Sequence, residues 1–171
     1  MDLVHPIFGE LKLDEYTGYE GTKLINFSGR EREVRITFDE EISEKHCQAY
    51  KSFIEKLDEI TPDIIQSIIK YQNEIHDDSD YTASFKYFKT AEDVLENTEL
   101  LEITLQVDLY EIVKESELYH KVMQEELNDT EDGRFVVLVF GAEWVNDDYH
   151  LLSVALANEK VVYVTDENIT D

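Results

Sequence analysis

His76-Asp77-Asp78-Ser79-Asp80 places an imidazole and three carboxylates within five consecutive positions. Oxygen donors beside one imidazole can hold a divalent cation weakly. A solvated acidic loop is the simpler reading of the same residues, and the favoured one. Asn128-Asp129-Thr130-Glu131-Asp132-Gly133 resembles the opening of a calcium loop, with oxygen ligands at alternate places and glycine sixth. Such a loop needs a bidentate glutamate in the twelfth place; counted from Asn128, that place is Val139. A connecting turn is therefore expected. His46 and Cys47 are adjacent, so on a helix they project about 100° apart. That geometry suits neither a shared metal nor a nucleophile with its base, and Cys47 reads as a small buried thiol. No Gly-x-Ser-x-Gly elbow and no pair of histidines at helical ligand spacing is present. The six glycines form no phosphate-cradling loop. A pair of catalytic carboxylates is defined in space rather than in sequence, so a hydrolase with converging acids and a histidine stands as a third reading.

Trp144-Val145-Asn146-Asp147-Asp148-Tyr149-His150 is the most individual stretch, holding the chain's one tryptophan between two apolar runs. A polar-aromatic patch at a sheet end is a common place for binding residues. The structural alternative, which is favoured, has Trp144 filling the edge of the core while Asp148 or His150 bonds to the turn backbone.

Charge narrows the partner. Among 171 residues, 15 are Lys or Arg and 40 are Asp or Glu, for a net charge of −25 and a pI near 4.3. The field has the wrong sign for nucleic-acid phosphate and for an anionic membrane, and the right sign for a basic protein. Residues 76–133 carry 17 acidic and four basic residues, a net of −13. Solubility alone explains such a charge; a docking face for a cationic partner is the sharper reading. The partner-binding candidates are Asp77, Asp78, Asp80 and Tyr81, then Asp129, Glu131 and Asp132, chosen for charge density and loop placement. No catalytic residue, metal or cofactor is expected. A 42 % apolar and 11 % aromatic composition is enough for one core, and residues 1–171 are expected to form a single domain. The lone Cys47 excludes an internal disulfide. No apolar run approaches the ~20 residues of a membrane span, and the first residues lack the pattern of a signal peptide. A soluble cytoplasmic protein is expected.

The elements that would position these residues follow from periodicity. Ile7–Leu13, 23–27 and 34–38 read as strands, with Val34, Ile36 and Phe38 alternating against Arg35 and Thr37. Gly18 and Gly21 suggest a turn or bulge. Ser43 caps a helix striped by Tyr50, Phe53, Ile54, Leu57 and Ile60. Thr61-Pro62 should end it and start a second, striped by Ile64, Ile65, Ile68, Ile69 and Ile75. Thr90-Ala91-Glu92-Asp93 opens a short helix, and the residues from Leu101 to Leu109 alternate as a strand with one wet face. Leu118, Tyr119, Val122, Met123 and Leu127 fit another helix. The residues from Phe135 to Phe140 form a strand covered on both faces, followed by strands at 152–156 and 161–164. These elements predict an α+β fold: an antiparallel sheet from two meanders with a central helical pair packed on it.

Phe8-Gly9-Glu10-Leu11, Tyr19-Glu20-Gly21-Thr22 and Val34-Arg35-Ile36, ahead of Ser43 and its acidic helices, follow a recognisable order. So do Trp144, Asp147 or Asp148, His150, Asn158, Lys160 and Val161. Together they resemble a family of bacterial domains of unknown function, some encoded near secreted-toxin systems. The likeness covers residues 6–76 and 135–165; residues 77–134 look private to this chain, and Val145 and Tyr149 stand where the family tends to place acids. The resemblance implies a fold and no established chemistry. With the charge, it makes an immunity or antitoxin-type inhibitor of a basic toxin the leading expectation. A structural or housekeeping domain without a charged-face partner is the alternative.

Overall fold

The computed structural model describes residues 2–78, 86–125, 133–145 and 149–167. Eight strands form one sheet in chain order: β1 (Leu3–His5), β2 (Gly9–Asp14), β3 (Gly18–Phe27), β4 (Arg30–Phe38), β5 (Glu99–Gln106), β6 (Phe135–Gly141), β7 (Leu151–Ala157) and β8 (Lys160–Thr165). Helices α1 (Glu44–Asp78) and α2 (Ala91–Asn97) connect β4 to β5; α3 (Tyr110–Val113) and α4 (Glu117–Glu125) lie between β5 and β6.

Two features overturn the expected antiparallel sheet of two meanders with a helical pair. First, β4 and β5 pair in parallel, Ile36 against Ile103, and join everything into one mixed sheet. A parallel pair needs a long crossover, and α1 with α2 supplies it. Second, Thr61-Pro62 does not divide the helix, which runs 35 residues through Pro62. The apolar stripe stays in phase across the proline: Phe53, Leu57, Ile60, Ile64 and Ile68 all face the sheet, three of them with no exposure at all. Packing along that stripe outweighs the one backbone bond that proline removes. Pro62 and Asp58 both sit on the exposed side, so the Asp58 carbonyl left without an N–H donor is open to water. The Thr61 hydroxyl turns inward and donates to the Leu57 carbonyl at 2.6 Å.

Smaller differences have local causes. The chain turns at residues 6–8, where the Ile7 N–H donates to His5 Nδ1 at 3.1 Å, so the strand expected over Ile7–Leu13 begins only at Gly9, as β2, and β1 is an additional strand ahead of it. Gly21 lies inside β3 opposite Leu11, where a Cβ would come within 2.7 Å of Leu11 Cδ2. Leu109 has left the strand, and its carbonyl accepts the Ile112 and Val113 N–H groups that begin α3.

One face of the sheet is covered by α1. Val34, Ile36, Ile103, Leu138, Leu152 and Val154 point into that core. Trp144 is wholly buried there, with its ring 5.4 Å from Phe88, as the structural reading expects. The second face is roofed only in part. Val113, Tyr119, Val122 and Met123 of α3 and α4 cover Phe135, Val137, Val139, Ala155 and Val162. Over β2 to β5 no described helix covers this face, though Thr37 and Thr104 are buried at the base of a groove there.

Candidate functional site

Alternation puts Arg35 and Thr37 of β4 on the open face, and Glu102 and Thr104 of β5 beside them. The parallel register sets Arg35 against Glu102 and Thr37 against Thr104. Arg35 Nε donates to Glu102 Oε2 at 3.0 Å, and Nη2 reaches the same oxygen. Its third nitrogen lies 3.6 Å from Glu20 on β3. The Thr37 and Thr104 hydroxyls lie 2.8 and 2.9 Å from Glu102 Oε1, and 2.9 Å from each other. The Glu102 side chain is only 13 % exposed, so the carboxylate is held in place by three side chains. Hydrogen bonding to Glu102 pushes the Arg35 pKa up, aided by the nearby charges of Glu102, Glu20 and Asp14 and opposed by burial.

This network floors a groove of about 500 Å³. One strand further along, Glu102 gives way to Val139, which faces Ser153 on β7. The floor thus changes from ionic to apolar in a single step. Two exposed aromatics stand on the rim, Tyr16 at 93 % and Tyr149 at 78 % exposure. Asp14 fixes the Tyr16 side by accepting the Tyr16 and Thr17 N–H groups at 2.8 and 2.9 Å. Those two bonds hold its carboxyl below the ordinary aspartate range. On the far rim, Asp166 and Glu167 follow β8, and the Asp166 N–H donates to the Tyr71 hydroxyl at 3.2 Å. Burial is the main cause that pushes the Tyr71 pKa up. Among the described residues, four carboxylates, Asp39, Glu102, Asp166 and Glu167, line the groove against one cation, Arg35. A second groove, about 640 Å³, continues past Tyr149 and Leu151 over the starts of β4 and β5. Its arginines are already committed: Arg30 to Glu92 and the Leu95 carbonyl, Arg32 to Glu99.

Asp39 also does structural work. Its two oxygens accept from His46 Nε2 at 2.7 Å and from the Val107 N–H at 2.9 Å. The other ring nitrogen of His46 accepts the Ser43 N–H at 3.0 Å, which fixes the tautomer. At the third helical position His46 thus takes the part that glutamate plays in a capping box. His46 has no solvent exposure, so the pair locks the start of α1, while the Asp39 side chain, 19 % exposed, also forms part of the groove wall. Cys47 is buried, as expected, and burial pushes its thiol pKa up.

The residues singled out by charge density fare differently. Asp77 is exposed near the end of α1 and accepts the Tyr87 hydroxyl, away from the groove. Asp78 closes α1. Asp80, Tyr81, Asp129, Glu131 and Asp132 lie outside the described residues. His150 donates from Nδ1 to the Val145 carbonyl at 3.1 Å and so belongs to the turn. Among the described residues, no three His, Cys, Asp or Glu side chains gather as a metal site, and no helix is long and apolar enough to cross a membrane. Sequence reasoning missed Arg35, Thr37, Glu102, Thr104 and Tyr16, and reached Tyr149 only as part of the Trp144–His150 stretch. The available signal was an Arg-x-Thr and a Glu-x-Thr on the wet sides of two strands, which are complementary only once those strands are neighbours.

A family model described as a domain of unknown function, DUF6985, matches residues 7–170. The match runs through residues 77–134, so that segment is not private to this chain. No curated protein and no solved structure matches the chain.

Proposed function

We propose, for a chain that belongs to the DUF6985 family, a non-enzymatic role in binding a basic protein partner. An inhibitor that occludes a basic toxin is the most specific form of that role. The carrying observation is the groove itself, where, among the described residues, the Asp166 and Glu167 carboxylates stand beside the engaged Asp39 and Glu102, against one arginine, between two exposed tyrosines. Carboxylates supply attraction and register for lysine or arginine side chains. Tyrosines at a rim supply the aromatic area on which binding energy usually concentrates. The net charge of −25 steers a basic partner inward.

Anisotropy of a fluorescein-labelled extended peptide bearing arginines on a Gly/Ser/Thr background provides the test. Binding should weaken at least tenfold between 50 and 500 mM salt, as screening shortens from roughly 14 to 4 Å. The Tyr16→Ala/Tyr149→Ala variant should lose on the order of 30-fold, the size of one strong aromatic contact. Binding that ignores both salt and the tyrosines would overturn the proposal.

A further inference from the structure

Hydrogen-bond capacity is spread unevenly along the acidic groove. Glu102 has none to spare. One of its oxygens meets the Thr37 and Thr104 hydroxyls and the other meets two nitrogens of Arg35, and a carboxylate offers about four such positions. Asp39 accepts one bond on each oxygen, from His46 and from the Val107 N–H. Ser153 differs. It is only 4 % exposed, yet among the described residues its hydroxyl makes no hydrogen bond. Leu152 and Val154 point into the α1 core, so alternation turns Ser153 to the other face, where it lines the groove. Gln106, Tyr119 and Trp144 also carry buried polar atoms without a partner, but none of the three belongs to the groove wall. A buried hydroxyl left unmatched costs free energy, and at a groove wall an entering polar atom can remove that cost. In register, Ser153 lies between Val139 on β6 and Thr165 on β8. Val139 and Leu151 make this stretch of wall apolar, and Asp166 and Glu167 follow directly after Thr165. Asp166 shares its carboxyl with the Tyr71 hydroxyl, whereas Glu167 is exposed.

We propose that the β7–β8 end of the groove is a cation subsite that takes one lysine or arginine side chain of the partner. The aliphatic stem lies on Val139 and Leu151, and the charged head reaches Ser153 Oγ, Asp166 and Glu167. This rests on the basic-partner reading above and gives it a place within the groove. Lysine and arginine are the side chains that join such a stem to a charged head. The Ser153 hydroxyl accepts one N–H of the head, and the two carboxylates supply the opposite charge. The Arg35–Glu102 network is then the fixed floor of the groove, and the selecting contacts are made two and three strands away from Arg35.

The labelled arginine peptide of the salt test is titrated into the full chain and into three variants, with anisotropy for affinity and amide NMR shifts for location. Asp166→Asn/Glu167→Gln should weaken binding about tenfold, as the loss of charged acceptors does. Ser153→Ala removes a hydroxyl that holds nothing else in the described fold and should weaken binding about fivefold. Glu55→Gln/Glu59→Gln makes the same change of net charge on the exposed side of α1, behind the sheet, and should cost less than about twofold. In the native chain the Ser153 and Glu167 amides should move on binding. Unchanged affinity in either groove variant, an equal loss in the α1 control, or shifts confined to another face overturns the subsite and leaves the basic-partner reading standing. No binding of the peptide by the native chain overturns both.

Discussion

The two faces of this sheet are built from the same strands and finished differently. On the α1 side, apolar residues from β3 through β7 meet one continuous helix stripe, and Val34, Ile36, Ile103, Leu138 and Val154 have no exposure. On the other side, α3 and α4 cover β6 to β8 and stop. Beyond that roof the same alternation delivers exposed Thr22 and Leu24, the partly exposed Arg35, and the largely buried groove floor of Thr37, Glu102 and Thr104. The lesson is that burial on one face fixes the register for both. Arg35 is held opposite Glu102 because Ile36 is held opposite Ile103. The open face can therefore carry charge and hydroxyl chemistry that contributes little to folding, on a frame the covered face keeps rigid.

The largest test of that contrast removes one large side chain from each half of the second face. Phe135 lies under α4 with no exposure, whereas Leu24 on β3 is 66 % exposed. Phe135→Ala should lower unfolding free energy by about 3–5 kcal/mol, and Leu24→Ala by no more than about 0.5 kcal/mol. Urea denaturation followed by far-UV circular dichroism reads both. Comparable losses would mean that the open half is packed against something else in solution.

Pro62 sharpens the account of the covered face. A proline inside a helix costs about 3 kcal/mol relative to alanine, while alanine's looser unfolded chain returns roughly 0.4–1 kcal/mol of that. If sheet packing carries α1 through the proline, Pro62→Ala should raise stability by about 2 kcal/mol in the same urea experiment. If residue 62 instead began a separate helix, proline would suit its first position and alanine would gain nothing.

That proline also marks where the sequence stopped being sufficient. Alternation in Val34–Phe38, in the stretch after Leu101 and in Leu152–Leu156 was readable because it is local. So was the run from Phe135 to Phe140, buried on both faces as its composition demands. The parallel β4–β5 pairing was not readable, since it joins residues 67 positions apart and depends on what crosses between them. Thr61-Pro62 carried a true stop signal that a longer apolar stripe overrode. The groove was hidden for the first of these reasons. Arg35 and Glu102 each look like ordinary wet-face residues until topology makes them neighbours. Asp77 and its acidic companions stand out through charge density and loop placement, neither of which says anything about shape.

The smallest expected effect concerns the rim, where the open face depends on one exposed turn. Asp14 accepts the Tyr16 and Thr17 N–H groups, chiefly the former, and these bonds favour its ionised form. Its folded pKa is therefore depressed below the ordinary 3.8. A depressed carboxyl contributes stability above its unfolded pKa and loses that contribution as pH falls through the folded value. The turn that presents Tyr16 should hold at pH 5 and loosen only below about pH 4, while the core under α1 and α4 does not respond to this group. Carbon-detected NMR can follow the Asp14 carboxyl in the folded chain and in the same chain in concentrated urea. The folded midpoint should be the lower of the two, and Tyr16 and Thr17 amide shifts should move with it while Phe135 stays fixed. Coincident midpoints would show that the turn is not held by Asp14. The rim tyrosine would then lose its one identified anchor, and the sheet alone would have to account for where it stands.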